Sequence, residues 1–273
     1  MTNKYPDISH HHPVSSWSKI KENCPFIISK ATEGTSFVDS TLNSFIKNCE
    51  NKKIPYWLYT YLRKGNELDQ AKFLVNTCKD KIAGSKYFIG YILDVESGNS
   101  AAAVKKALEY INGLGYKTMI YTMYADYSKY KSVINSRGKN CAWWEARYGL
   151  NNGTYSSKYP CHSGVDLHQF TDQGKCPGIS DKIDLNRITD ANGKKQDWFT
   201  TQLKIETKKP LYGRVATKSD PLRMRTKATI ISKVIRKIPK GAKVEVLSKG
   251  KNWHKVKYAG STGYCSAKYI KLL

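Results

Sequence analysis

Residues 87–93, YFIGYIL, are apolar on both faces of an extended chain, and two carboxylates, Asp94 and Glu96, follow directly. A half-exposed strand alternates apolar with polar side chains. A strand without that alternation must be covered on both sides, which requires a largely parallel sheet flanked by helices. Strand side chains point alternately to opposite faces, so Asp94 and Glu96 share one face, roughly 6 to 7 Å apart. They stand at a carboxyl end, where open and closed α/β sheets keep their active sites. An arbitrary D-x-E also serves as a helix cap or a solvated corner, and two residues alone leave both readings open.

The surrounding pattern agrees with a parallel sheet. Apolar runs at 26–29, 55–62, 117–121, 142–148 and 165–171 read as strands, and helical spacing marks 40–50, 67–79 and 100–114, the last stopped by Gly115. Alternating β and α units predict an α/β domain, and the excess of strands over helices late in it predicts an irregular (β/α) TIM-like barrel. After Asp184 the periodicity fades. Residues 1–203 are expected to form the first domain, 204–212 a linker, and 213–273 a small all-β barrel. The last is read from alternation in KVEVLS and HKVKYA, broken by Pro239-Lys240-Gly241 and Ala259-Gly260-Ser261.

Composition narrows the class. No apolar run approaches the ~20 residues of a membrane span. Residues 1–7 lack a basic segment followed by an apolar one, so no secretory signal is expected. The seven cysteines form no CxxC pair, and four of them, Cys24, Cys49, Cys78 and Cys141, lie in or beside apolar segments, which favours free thiols. His10, His11 and His12 precede Pro13 without a second ligand cluster, so neither a metal nor a cofactor is expected.

The net charge of +24 is uneven: from Lys204 onward 19 Lys and Arg face 3 acids, placing +16 in the last 70 residues. Such a field favours polyanions, whether nucleic acid, acidic lipids or the anionic polymers of a bacterial wall. An AT-rich genome would also enrich Lys, Asn, Ile and Tyr. Charge alone does not choose among these.

Seven stretches in order, PDISHHH, ISKATEGTSFVD, YTYLR, YILDVES, IYTMY, WWEARYG and HQFTDQG…ISDKIDLNR, resemble the family 25 glycoside hydrolases, muramidases typical of phage endolysins. The resemblance spans about residues 5–190. It implies that Asp7, Asp94, Glu96 and Asp184 ring a site at the strand ends. It departs where His12 replaces a common Gln and Thr60 a common His. Glycosidic cleavage needs one protonated carboxyl as donor and one anionic group to stabilise a cationic sugar. The longer Glu96 is expected as general acid, with Asp94 steadying the 2-acetamido group or the charged centre. Tyr59, Tyr61, Tyr121, Trp144 and Tyr148 are candidates to bind sugars, with Trp143 on the opposite face. Glu33 is a site neighbour, although capping a helix near Gly34 would explain it equally well.

The carboxyl-terminal stretches DPLRMRTKAT, IPKGAKVEVL, NWHKVKY and GSTGYCSAKYI resemble the bacterial SH3 domains appended to wall hydrolases, which implies that the small all-β barrel is SH3-like. There Trp253, Tyr258 and Tyr264 are candidates to bind the wall or to fill the barrel. The resemblance implies a lysozyme acting on peptidoglycan glycan strands, its SH3 domain held by the peptide stem or cross-bridge and anionic wall polymers. Such an endolysin would stay in the host cytoplasm before lysis and then reach the cell wall. The competing readings are a basic nucleic-acid- or wall-binding protein, which leaves the four acids unexplained, and a related chitinase or glucosaminidase-type hydrolase.

Overall fold

The computed structural model describes residues 3–203 and 211–273. The chain divides into two compact units, Met1–Ile205 and Glu206–Leu273. The linker expected at 204–212 falls outside the described residues up to 210, and Tyr212 already begins a strand of the second unit.

In the first unit, eight strands close into a ring: β1 (Pro6–Ile8), β2 (Ile27–Glu33), β4 (Tyr56–Tyr61), β5 (Phe88–Val95), β6 (Lys117–Met123), β7 (Cys141–Ala146), β8 (Leu167–Gly174) and β9 (Ile183–Ile188). A two-residue strand, β3 (Phe37–Val38), pairs with the end of β2. Neighbours from β1 through β8 run parallel, while β9 runs antiparallel to both β8 and β1 and completes the closure. The irregular barrel expected from the sequence is the fold observed.

Helices α1 (Trp17–Asn23), α2 (Leu42–Lys52), α3 (Glu67–Cys78), α4 (Ala101–Gly113) and α5 (Tyr127–Asn135) link the successive parallel strands from β1 to β7. The sequence pattern omitted α1 and α5, which are short, and each carries only a few buried residues, Ile20 in α1 and Tyr130, Val133 and Ile134 in α5. It also omitted β1 as a strand, since three residues are too few for alternation to register.

Every residue of β5 is buried, as its two-faced apolarity requires. Tyr91, Leu93 and Val95 face the helical shell, while Ile92 joins the barrel interior with Ile28, Trp57, Met119, Tyr121, Trp144 and Leu167. Each such buried side chain contributes about 1.5–3 kcal/mol. Gly90 is required by contact: a Cβ there would stand 2.2 Å from the Lys117 carbonyl and 2.7 Å from the Trp57 ring. Trp143 faces the shell, stacked on Tyr127 of α5 at 5.3 Å between ring centroids.

The foot of the barrel is closed by a helix that the sequence pattern did not reveal, α6 (Gln196–Thr200). Phe199 is fully buried and stacks on Phe26 at 5.5 Å. Its carbonyl accepts a 2.9 Å bond from the Trp57 indole, and Trp198 stacks on Trp57 at 5.7 Å. Lys117 donates to the carbonyls of Trp198 and Thr201, both at 2.6 Å, and burial lowers its pKa to about 8. A single turn of helix anchored by two aromatics carries no periodic signal.

The second unit is a seven-stranded antiparallel sheet built from β10 (Tyr212–Val215), β11 (Leu222–Arg225), β12 (Val234–Ile238), β13 (Lys243–Ser248), β14 (Trp253–Tyr258), β15 (Ser261–Ser266) and β16 (Ile270–Leu272). Its small core includes Val215, Met224, Ile238, Val244, Val256 and Cys265.

Because Phe199 plugs the barrel, Phe199→Ala should destabilise the first unit by about 3–5 kcal/mol. A lowered urea midpoint for that unit, with the second unit unaffected, is the expected readout; an unchanged midpoint would show that the plug is not structural.

Candidate active site

Parallel strands all deliver their carboxyl ends to one rim, and that rim collects the acids. Asp7 lies on β1, directly opposite Asp184 of β9 in the antiparallel register. Asp94 lies near the end of β5, between Tyr61 of β4 and Tyr121 of β6, and Glu96 follows one residue beyond the strand. Asp7 and Asp94 are buried, at 5% and 8% exposure, whereas Glu96 is exposed at the rim.

Asp7 is the most fully tied. It accepts from Asn186 Nδ2 at 2.7 Å and from Gln169 Nε2 at 3.2 Å, and it shares a hydrogen bond with Asp184. Burial raises its pKa to about 6 despite those donors. Burial and then the Asp7 charge raise that of Asp184 to about 9, so the pair holds a proton at neutral pH.

Asp94 is pushed well above the carboxylate range by burial and by the charges of Glu96 and Asp7, with Lys30 pulling the other way. Its Oδ1 is buried and finds no hydrogen-bond partner among the described residues. Glu96 is also raised, by desolvation against the opposing charge of Lys30, with Asp126 and Asp7 adding to the rise.

Three further residues organise these acids, and sequence reasoning did not single them out. Gln169 joins Asp7 to the phenols of Tyr121 and Tyr148, which donate to its Oε1 at 2.9 and 3.0 Å. Asn186, the last residue of the D-x-N stretch, takes the Trp144 indole N–H at 2.7 Å while donating to Asp7. Asn99 is fully buried and donates to the carbonyls of Leu62 and Arg63, which ties the loop bearing Glu96 to the end of β4. Amide side chains can bridge a carboxylate and a donor at once, and that is the available signal.

The aromatic candidates divide by depth. Tyr59, Tyr61 and Tyr148 are half-buried near the acids, while Tyr121 and Trp144 are buried beneath them with ring centroids 4.5 Å apart. Glu33, at the end of β2, pairs with Lys30 and Arg63, whose hydrogen bonds hold it below its usual pKa against the upward effect of partial burial. It caps no helix, since Gly34 turns the chain into β3 with φ 58°. Lys30 also lies 5.3 Å from the Tyr61 ring, so this cation is an integral part of the rim. Thr60 is fully buried and accepts a hydrogen bond from Thr32 at 2.9 Å. His10 pairs with Asp39 at 2.9 Å, and no cluster of three or more potential metal ligands occurs among the described residues.

The second unit offers a groove of about 1150 Å³ between the loop before β11, the turn before β14 and the segment after β15. Trp253 and Tyr269 line it with Arg223, Arg225, Lys251 and Lys268, opposed by Asp220. Trp253 is half-buried and stands outside the small core, whereas Tyr258 packs against that core. Tyr264 is half-buried on β15, opposite Arg225 of β11 and Lys255 of β14.

A closed α/β barrel whose carboxyl rim gathers four acids, followed by a basic antiparallel module, defines a carboxylate-site barrel protein with a second, all-β domain. Residues 6–179 match the glycosyl hydrolases family 25, and the chain belongs to that family. Residues 220–271 match the bacterial SH3 domain. The autolytic lysozyme of Clostridium acetobutylicum is 30% identical over 168 residues, 59% of this chain and 48% of that protein. Lysozyme M1 of Streptomyces globisporus is 24% identical over 198 residues, 67% of this chain and 66% of that one. This chain thus spans about half the length of the first relative. Among solved structures, the catalytic domain of endolysin ply40 from bacteriophage P40 of Listeria monocytogenes aligns with a TM-score of 0.60 at 27% identity. That match covers 69% of this chain and 94% of the phage domain.

A carboxyl whose pKa is raised on folding stabilises the protein fully below its unfolded value near 3.9 and loses that contribution as pH rises through the folded value. For Asp184 the window runs from about pH 4 to about pH 9. Asp184→Asn should therefore gain stability relative to the parent chain between pH 5 and pH 9 in urea titrations. A pH-independent difference between the two proteins would refute the paired titration.

Proposed function

We propose that this chain is an N-acetylmuramidase that hydrolyses the β-1,4 bond between N-acetylmuramic acid and N-acetylglucosamine in peptidoglycan. The observation that carries the reading is the gathering of Asp7, Asp94, Glu96 and Asp184 at one barrel rim, with the longest and most exposed of them beside a buried, unpartnered carboxyl oxygen. Family membership and the lysozyme and endolysin names of the relatives support the substrate class.

In this mechanism Glu96 donates its proton to the departing glycosidic oxygen, because desolvation and the neighbouring acids raise its proton affinity and it stands exposed at the rim. Asp94, deeper and lacking a partner at Oδ1, accepts the 2-acetamido N–H of muramic acid and holds that group beside the anomeric carbon, where its carbonyl oxygen meets the developing positive charge. A water activated by Glu96 then completes the hydrolysis and returns the proton. Asp7 and Asp184 orient the sugar and tune the proton affinity of the other two. Tyr59, Tyr61 and Tyr148 offer rings to the apolar sugar faces, while Tyr121 and Trp144 support them from below. Residues 213–273 hold the enzyme on the wall, the basic groove beside Trp253 taking anionic polymer or peptide.

Glu96→Gln should lower kcat by about two to four powers of ten on purified peptidoglycan, with folding and wall binding retained. Asp94→Asn should be comparably severe, and Asp7→Asn and Asp184→Asn milder, with a displaced acidic limb in the pH profile. The new reducing end identifies the bond cleaved: muramic acid supports the proposal and glucosamine refutes it. Wall retention of the full chain should fall steeply with salt as the Debye length shortens from about 10 Å at 0.1 M. The fraction that survives high salt should vanish in Trp253→Ala; retention indifferent to both changes would exclude the groove.

A further inference from the structure

Two of the seven cysteines stand apart from the rest. The Sγ atoms of Cys24 and Cys176 lie 3.3 Å apart across 152 residues of sequence, and both side chains are buried. No other pair of cysteine sulfurs meets among the described residues, and all seven are free thiols.

The approach is fixed by contacts that do not involve sulfur. Cys24 caps α1, its N–H donating to the Ile20 carbonyl at 2.8 Å. Cys176 lies in the loop between β8 and β9, and that loop is held against the segment before α1. The amides of Ser15 and Ser16 both donate to the Gly178 carbonyl, at 2.8 and 3.1 Å, and Val14 bridges Ile179. At Gly178 a Cβ would stand 2.4 Å from the Ser16 carbonyl oxygen, so the two backbones touch.

We propose that Cys24 and Cys176 form a latent disulfide, open in a reducing compartment and closed when the protein meets a disulfide oxidant such as oxidised glutathione. The sulfurs need to close from 3.3 Å to about 2.05 Å, within the reach of side-chain rotation on backbones already in contact. The two sulfurs share a hydrogen bond in which either can donate, and this bond together with the Lys4 charge lowers the Cys176 pKa against the effect of burial, which favours Cys176 as the first thiolate.

The exchange balances in two steps. Cys176 thiolate attacks one sulfur of the oxidant and expels one glutathione thiolate, which takes up the proton that Cys176 lost. Cys24 thiolate then attacks the Cys176 sulfur of the mixed disulfide and expels the second glutathione, which takes the Cys24 proton. Two protein thiols are oxidised to one disulfide while one glutathione disulfide is reduced to two thiols. Since both sulfurs are buried, the reaction proceeds through local opening of the β8–β9 loop and is slow. The ring closed is long, so the loss of chain entropy in the unfolded state is large. The loop so fastened leads into β9, which carries Asp184.

The test uses the full chain held under native conditions with oxidised glutathione or with dithiothreitol, then alkylated and digested without reduction for mass spectrometry. The expected product is a peptide joined through Cys24 and Cys176. The unfolding midpoint of the first unit should stand roughly 5 to 15 °C higher in the oxidised than in the reduced sample. Cys24→Ala and Cys176→Ala, each compared oxidised against reduced, should lose both the link and the shift whatever their basal stability. Absence of the linked peptide after an incubation long enough to modify the half-buried Cys161 would overturn the proposal, as would mixed disulfides that persist at Cys24 or Cys176 without closing.

Discussion

The pairing of β9 between β8 and β1 is the interaction on which the rest of this molecule depends. It closes the ring of strands and sets Asp184 opposite Asp7, joining residues from the two ends of the first unit. An open sheet would leave β1 with an unpaired edge and Asp7 hydrated. Closure instead buries Asp7, forces it to share a proton with Asp184, and supplies Gln169 and Asn186 as donors from neighbouring strands. The proton inventory of the rim is thus a consequence of strand register.

Desolvation and charge compete at that rim. Four acids crowded near a low-dielectric interior disfavour ionisation of one another, and the large upward shifts at Asp94 and Asp184 express this. Lys30 opposes it, but its ammonium is also engaged by Glu33 and flanked by the rings of Tyr61 and Phe37. The rim therefore keeps a cation that restrains the shifts without discharging the site. The barrel foot answers a different problem: with the strand ends open, Trp57 and Phe26 would meet water, and α6 covers them with Phe199 and Trp198.

In the proposed function the second unit supplies adhesion and the first the chemistry. The core of the second unit is small, with nine buried apolar residues among those described, and the unit bears most of the excess positive charge of the chain. Charge of that density attracts polyanions over a distance, and in the proposed function the groove beside Trp253 supplies the contact at short range.

Much of this protein is determined by sequence alone, because some constraints act locally. The two-faced apolarity of 87–93 required a covered parallel strand, the resemblance of the chain's ordered stretches to family 25 pointed to four acids that meet at one rim, and period-two alternation after 213 marked a small β unit. The depth of each acid, the roles of Gln169, Asn186 and Asn99, the burial of Trp144 and Tyr121, the plug at Phe199 and the meeting of Cys24 with Cys176 were decided only by tertiary structure. An isolated amide, aromatic or thiol has the same letter whether it meets water or a partner 150 residues away. Desolvation and hydrogen-bond partnership are properties of neighbours in space, and closing the barrel is what chooses those neighbours.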